Sequence, residues 1–166
     1  MPAEATVHLV RHAHALDRHA WEAPDAERPL SAKGARQADA LAERLAGRDL
    51  ARLVTSPARR CRQTMEPLAA RLGLALEERP WLAEGEPSGA ALERLVEALE
   101  PLGGANLVAC THGDVLDGLL DAVRRAGAEL DGPAHGEKAA TYELLVRRGS
   151  VARVVHVPAP RVVGVR

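Results

Sequence analysis

The segment Val7–Ala20 reads VHLVRHAHALDRHA, and its reading decides the fold. Thr6–Val10 is a short β-type run whose Thr and Val suit a pleated surface. It gives way at once to Arg11, His12, His14 and His19. Two chemistries fit a strand that ends in this way. One is a His-x-His metal site; the other is a nucleophilic histidine with an arginine beside it for phosphate. The choice rests on what other strands bring to the same edge.

Working outward, Trp21–Pro29 is rich in Pro, Asp and Glu and reads as a loop. Ser31 is a good N-cap, and Ala35, Ala38, Leu41, Ala42 and Leu45 follow at helical steps up to Gly47. Leu50–Thr55 reads as a second strand. Ser56 is expected to cap a second helix, with Pro57 at its first position and Gly73 as its stop. LALEERP (74–80) gives a third strand with a charged centre. Ala90–Leu102 is an amphipathic helix with Leu92, Leu95, Val96 and Leu99 on one face. ANLVACT (105–111) is a buried strand. Asp114–Ala126 is a further helix, followed by a Gly/Pro loop. ATYELLV and VARVVHV flank RRGS (147–150) as a β-hairpin.

Strands that alternate with helices predict an α/β fold. We expect a three-layer α/β/α sandwich with a mostly parallel central sheet and a C-terminal hairpin strand. Residues 1–158 would form the domain and 159–166 a peripheral tail. Ligands of such sheets bind outside the carboxyl ends of the strands. Arg11-His12 follows the first strand, Ser56–Arg60 the second, Glu84 the third and Thr111-His112-Gly113 the fourth. Distant segments thus bring two arginines, two histidines and a carboxylate to one edge.

That set suits phosphoryl transfer. Arg11 and Arg60 offer forked N–H donors to phosphate oxygens, and a protonated His112 would add two more. A neutral His12 can attack phosphorus with one ring nitrogen while a backbone carbonyl holds the other. A carboxylic acid must protonate the leaving oxygen and later help to activate water.

The motifs resemble those of the histidine phosphatase superfamily, also called phosphoglycerate mutase-like. LVRHAHA is similar to its strand-then-Arg-His-Gly signature. RPLSAKGARQADALAERL, TSPARRCRQTMEPLA and VACTHGDVL are similar to its following segments, in order and spacing. The likeness covers roughly 7–158 and is closest to the compact phosphohistidine phosphatase branch. It implies a phosphatase that works through a phosphohistidine on His12, with Arg11, Arg60 and His112 around the phosphate. It places the general acid at Glu84, in Leu82-Ala83-Glu84, with Asp17, Glu86 and Asp114 as rivals. Arg28, in ERPL, matches an arginine of the compact branch and is a candidate substrate contact. Ala13 stands where many members carry Gly, and its methyl is expected to narrow the approach to the phosphate. The C-terminal hairpin looks close to the phosphatase half of proteins with a Nudix domain in front; these 166 residues include no such domain.

Composition bounds the alternatives. The chain is 46% hydrophobic and 27% charged, and its 2% aromatic content leaves the core to Ala, Leu and Val. A net charge of -1 gives no reason to expect a nucleic-acid or membrane surface. Cys61 and Cys110 lack metal-ligand spacing and fit reduced thiols in a cytoplasmic protein. No leader or membrane span is expected. His12, His14, Asp17 and His19 lack the His-x-His-x-Asp-His run of binuclear hydrolases. The barrel that houses the other His-x-His hydrolases needs about 250 residues. No metal or other cofactor is expected. A mutase is the runner-up, disfavoured by the short stretch between Glu84 and Ala90, which suggests an open site. A non-catalytic phosphate-binding module is the alternative of another class. The expected partner is a phosphorylated small molecule or a phosphoprotein. Oligomeric state is left open.

Overall fold

The computed structural model describes residues 4–164. Seven strands form one sheet in the order β3-β2-β4-β1-β6-β7-β5. They are β1 (Ala5–Arg11), β2 (Leu50–Thr55), β3 (Leu76–Glu78), β4 (Asn106–Thr111), β5 (Glu129–Asp131), β6 (Thr141–Arg147) and β7 (Ser150–Val157). Only β6 runs antiparallel to its neighbours, β1 and β7; every other pairing is parallel. The four helices are α1 (Ala32–Leu45), α2 (Arg59–Leu72), α3 (Ser88–Leu99) and α4 (Gly113–Arg125). The expected α/β architecture with a mostly parallel sheet is what forms.

Alternation along the central strands sorts the core into two layers. Val7 and Leu9 of β1, with Leu107 and Ala109 of β4, pack against α3 and α4. Val10 of β1, with Val108 and Cys110 of β4, packs against α1 and α2. Continuous apolar runs such as LVAC are what a strand covered on both faces requires.

Local chemistry sets several boundaries. The Ser31 side chain accepts the Gly34 N–H and starts α1. Gly73, at φ 66°, ends α2 in the left-handed conformation. Arg148 and Gly149 both have positive φ, giving the two-residue turn that matches strand twist between β6 and β7.

Four elements depart most from the sequence expectation. α2 starts at Arg59 after Ala58, not at Pro57; the Ser56 hydroxyl accepts the Ala58 N–H at 3.3 Å and also bonds His112. β3 shrinks to Leu76–Glu78, which pairs only with β2 at the sheet edge. α3 starts two residues early at Ser88, and Glu100–Leu102 forms a separate tight helical turn. β5 lies where the sequence predicts a loop; its three residues, Glu-Leu-Asp, are too few for their alternation to reveal a strand. No described helix is long and apolar enough to cross a membrane.

Candidate active site

β1, β4 and β2 are parallel neighbours, so their carboxyl ends share one edge. The chain moves outward from β1 to β2 and β3, then returns to lay β4 between β1 and β2. This reversal opens the crevice in which such sheets bind ligands. A cleft of about 580 Å³ lies there, lined by Arg11, His12, Arg28, Glu84, Asp114 and Lys138 among others.

His12 is 5% exposed. Its backbone N–H donates to the Thr111 carbonyl at 3.0 Å, tying the end of β1 to the end of β4. Its ring Nδ1 lies 2.8 Å from the Ala13 carbonyl. A carbonyl only accepts, so Nδ1 carries the proton and Nε2 keeps its lone pair. Burial is the main force that lowers the His12 pKa to about 3. The Ala13 hydrogen bond opposes it, while His112, Arg60 and Arg11 assist it.

Arg11 ends β1, and its guanidinium donates to the Gly136 carbonyl at 2.7 Å. It lies across Gly113, where an added Cβ would come within 2.9 Å of Arg11 Cζ. The glycine at the start of α4 is therefore what gives this guanidinium its place.

Arg60 and His112, each 1% exposed, sit behind His12 rather than on the cleft wall. The His12 and His112 ring centroids are 5.4 Å apart in an edge-on arrangement. Arg60 donates to His112 Nδ1 at 3.3 Å, so the imidazole proton sits on Nε2, which donates to Ser56 Oγ at 2.8 Å. Cys61 Sγ lies 3.5 Å from the same Nε2. His112 is thus bonded at both nitrogens, and its donor faces Ser56. Its expected two donors toward phosphate are not what the hydrogen bonds show.

Asp25 starts a short helical turn, Asp25–Glu27, within the predicted loop, and binds three arginines. Its carboxylate is 3.0 Å from Arg60, 3.0 Å from Arg28 and 3.6 Å from Arg18. Partial burial raises its pKa, but the Arg28 hydrogen bond and the Arg60 and Arg18 charges outweigh this and hold it below the ordinary value. Arg28, 4% exposed, also donates to the Leu16 carbonyl at 2.7 Å. Glu84 bridges Arg18 at 2.9 Å and Arg60 at 3.6 Å. Of its rivals, Asp17 and Asp114 line the cleft and Glu86 does not. Asp114 is engaged by the Gly85 N–H at 2.8 Å.

Ala13 behaves differently from the expectation. It is fully buried in the α1/α2 core layer and does not line the cleft. Its N–H donates to Thr64 Oγ1 at 3.0 Å, and Thr64 in turn donates to the Arg60 carbonyl at 2.6 Å. The methyl therefore fills core space and does not obstruct phosphate. His14 bonds Ser31 Oγ through its Nδ1 at 2.6 Å and lines the cleft with His12. Among the described residues, no group of three or more His, Cys, Asp or Glu could hold a metal ion.

Sequence reading missed Asp25, Arg18 and Lys138, and gave Ser56 only a capping role. Only Asp25 left a signal, its three-residue spacing from Arg28 in DAER.

A model of the histidine phosphatase superfamily (branch 1) matches residues 7–100. The chain belongs to this superfamily. Against the 8-oxo-(d)GTP phosphatase of Mycolicibacterium smegmatis it is 37% identical over 119 residues, covering 70% of the chain and 36% of that protein. The chain thus spans little more than a third of that relative. Histidine phosphatase folds superpose well on it. The protein histidine phosphatase SixA complexed with tungstate gives a TM-score of 0.67 at 24% identity, over 87% of this chain and 91% of that one. The mycobacterial glucosyl-3-phosphoglycerate phosphatase Rv2419c gives 0.68 at 18% identity, over 95% and 100%. These two likenesses establish the fold.

Proposed function

We propose that this histidine phosphatase homologue hydrolyses a phosphomonoester or phosphoramidate in two steps, through a phosphohistidine on His12 Nε2. The carrying observation is the state of His12. Its Nδ1 proton is committed to Ala13, so an unprotonated Nε2 is presented in a cleft lined by arginine. Attack by Nε2 forms the N–P bond as the ester or amide bond to phosphorus breaks. The developing imidazolium keeps its Nδ1 proton on the Ala13 carbonyl, which favours the charged ring.

Arg11 and Arg60 supply the positive field for the equatorial oxygens. Both have a buried Nε–H with no protein acceptor. Two such orphaned donors are costly unless an anion meets them. Arg60 reaches the phosphoryl group once that group takes the place of the Asp25 carboxylate. His112 acts through Arg60, as the acceptor that orients its guanidinium. Glu84, at the cleft wall, is assigned the proton transfer to the leaving group and the later activation of water, which breaks the N–P bond and releases phosphate. Arg28 holds Asp25 and the loop at Leu16, and so shapes the cleft mouth.

No metal or cofactor is assigned a role. The exposed Asp17, Arg18 and His19 border the cleft, which suits small phosphoesters and protein-borne phosphate alike. The test is hydrolysis of p-nitrophenyl phosphate by the chain, its His12→Ala variant and the chain in EDTA. Turnover lost in His12→Ala and kept in EDTA is expected. Turnover surviving in the variant, or lost in EDTA and restored by zinc or manganese, contradicts the proposal.

A further inference from the structure

A second cavity of about 570 Å³ adjoins the cleft and shares His14 and Lys138 with it. One wall is the start of α1, with Lys33 and Gln37. The other is the segment after β7, with Arg161 and Val162. That segment is fastened across α1, where Arg44 donates to the Pro158 carbonyl at 2.8 Å and Ala159 packs on the α1/α2 layer.

The seam between the two cavities is built from backbone. The N–H of Ala139 donates to the carbonyls of both Arg11 and His12, at 3.1 and 3.2 Å, so Lys138 is fixed beside the proposed nucleophile. On the other side the His14 N–H donates to Gln37 Oε1 at 2.9 Å, and the His14 ring bonds Ser31, two residues before Lys33.

Charge in this groove is unbalanced. Lys33, Lys138 and Arg161 line it against one carboxylate, Glu137. Glu137 is already bonded to His156 Nε2 at 2.8 Å. No carboxylate of the described residues pairs with the three cations. Burial depresses the Lys138 pKa, and the charges of Arg11, Arg28, Arg18 and Arg60 depress it further. A positive potential therefore extends from the cleft into the groove, where among the described residues Glu137 is the one carboxylate of the lining. Beyond the cations the wall turns apolar, through Val162 and its neighbours.

We propose that this groove is a leaving-group subsite for a small phosphoester that carries a second anionic group, phosphate or carboxylate, followed by an apolar body. The scissile phosphate sits at His12, and the second anion is held by Lys138 and Lys33. This inference rests on the phosphatase reading of the cleft and adds its substrate class.

Matched substrates test it: 1-propyl phosphate, the phosphate ester of 3-hydroxypropanoate, and 1,3-propanediol bisphosphate. The bisphosphate is expected to exceed propyl phosphate in kcat/KM by at least about tenfold, mostly through KM, since the second anion gains charged hydrogen bonds. A rise for the bisphosphate alone assigns the second anion as phosphate; a rise for the 3-hydroxypropanoate ester as well admits carboxylate. In Lys33→Ala and Arg161→Ala the ratio of bisphosphate to propyl phosphate is expected to collapse toward one. Equal efficiencies in the starting protein, or variants that lower both substrates equally, overturn the subsite. A binding arm separates this from the chemistry. Calorimetry on the His12→Ala protein is expected to show inorganic pyrophosphate binding at least about tenfold tighter than orthophosphate, with the gap closed in the Lys33→Ala background. A gap without turnover in the His12-intact chain sinks the phosphatase reading alone. Turnover without a gap sinks the subsite alone.

Discussion

Asp25 Oδ2 lies 3.0 Å from the Arg60 guanidinium, and the Asp25 carbonyl accepts a second Arg60 N–H at 2.9 Å. A loop residue thereby occupies donors that the proposed mechanism gives to the phosphoryl group. An incoming anion must compete with the carboxylate, whereas the backbone bond keeps the guanidinium oriented.

Asp25→Ala should therefore bind anions more tightly. The carboxylate side chain is 43% exposed, so its hold on Arg60 is screened and modest. Orthophosphate inhibition of p-nitrophenyl phosphate hydrolysis is expected to tighten by about fivefold, a change below 1.4 kcal/mol. Weaker inhibition would instead make Asp25 a brace without which Arg60 loses its orientation.

Gly113→Ala separates site geometry from folding. The three atoms nearest the new Cβ would all belong to the Arg11 guanidinium, the far end of a flexible side chain, at 2.9–3.1 Å. The chain should fold, with a Tm within a few degrees of the parent, while kcat/KM falls by about 100-fold as Arg11 is displaced. Full activity would show that the position of Arg11 is unimportant.

Acid should destabilise the fold through two buried imidazoles. Burial above all, aided by Arg48, lowers the His8 pKa from 6.5 to about 4, and His12 falls to about 3. Above pH 6.5 both are neutral whether folded or not. Below it the unfolded chain takes protons that the folded chain refuses, so stability falls with falling pH down to about 4 for His8 and 3 for His12. Each contributes a slope of about 1.4 kcal/mol per pH unit well inside its window. Urea unfolding of His8→Leu between pH 6.5 and 4.5 should show the shallower slope; an unchanged slope would contradict this origin.

How much of this was legible in the sequence varies with the distance over which each feature is decided. β1, β2, β4 and the hairpin announce themselves through local runs, and α1 through Ser31 and its periodic apolar residues. The strand ends then place Arg11, His12, His112 and Glu84 at one edge by topology alone. The hydrogen-bond state of the site is a different matter. That Ser56 holds His112 as well as the Ala58 N–H depends on β4 lying beside β2, a contact 56 residues distant. Asp25 meets Arg60 across 35 residues from a three-residue helical turn, Asp25–Glu27, too short to show a periodicity. The pairing of Ala13 with Thr64 spans 51 residues and turns an expected obstruction into core. β5, three residues long, is fixed by its neighbour β7 rather than by its own composition.

The central claim is the covalent intermediate on His12. Rapid quenching of the chain mixed with ³²P-labelled substrate, into alkali, preserves a phosphoramidate that acid destroys. The account predicts an alkali-stable, acid-labile label on the peptide containing His12, absent in His12→Ala and present in EDTA. Turnover of the same substrate with no labelled protein at any time point, or with the label on another residue, would contradict it.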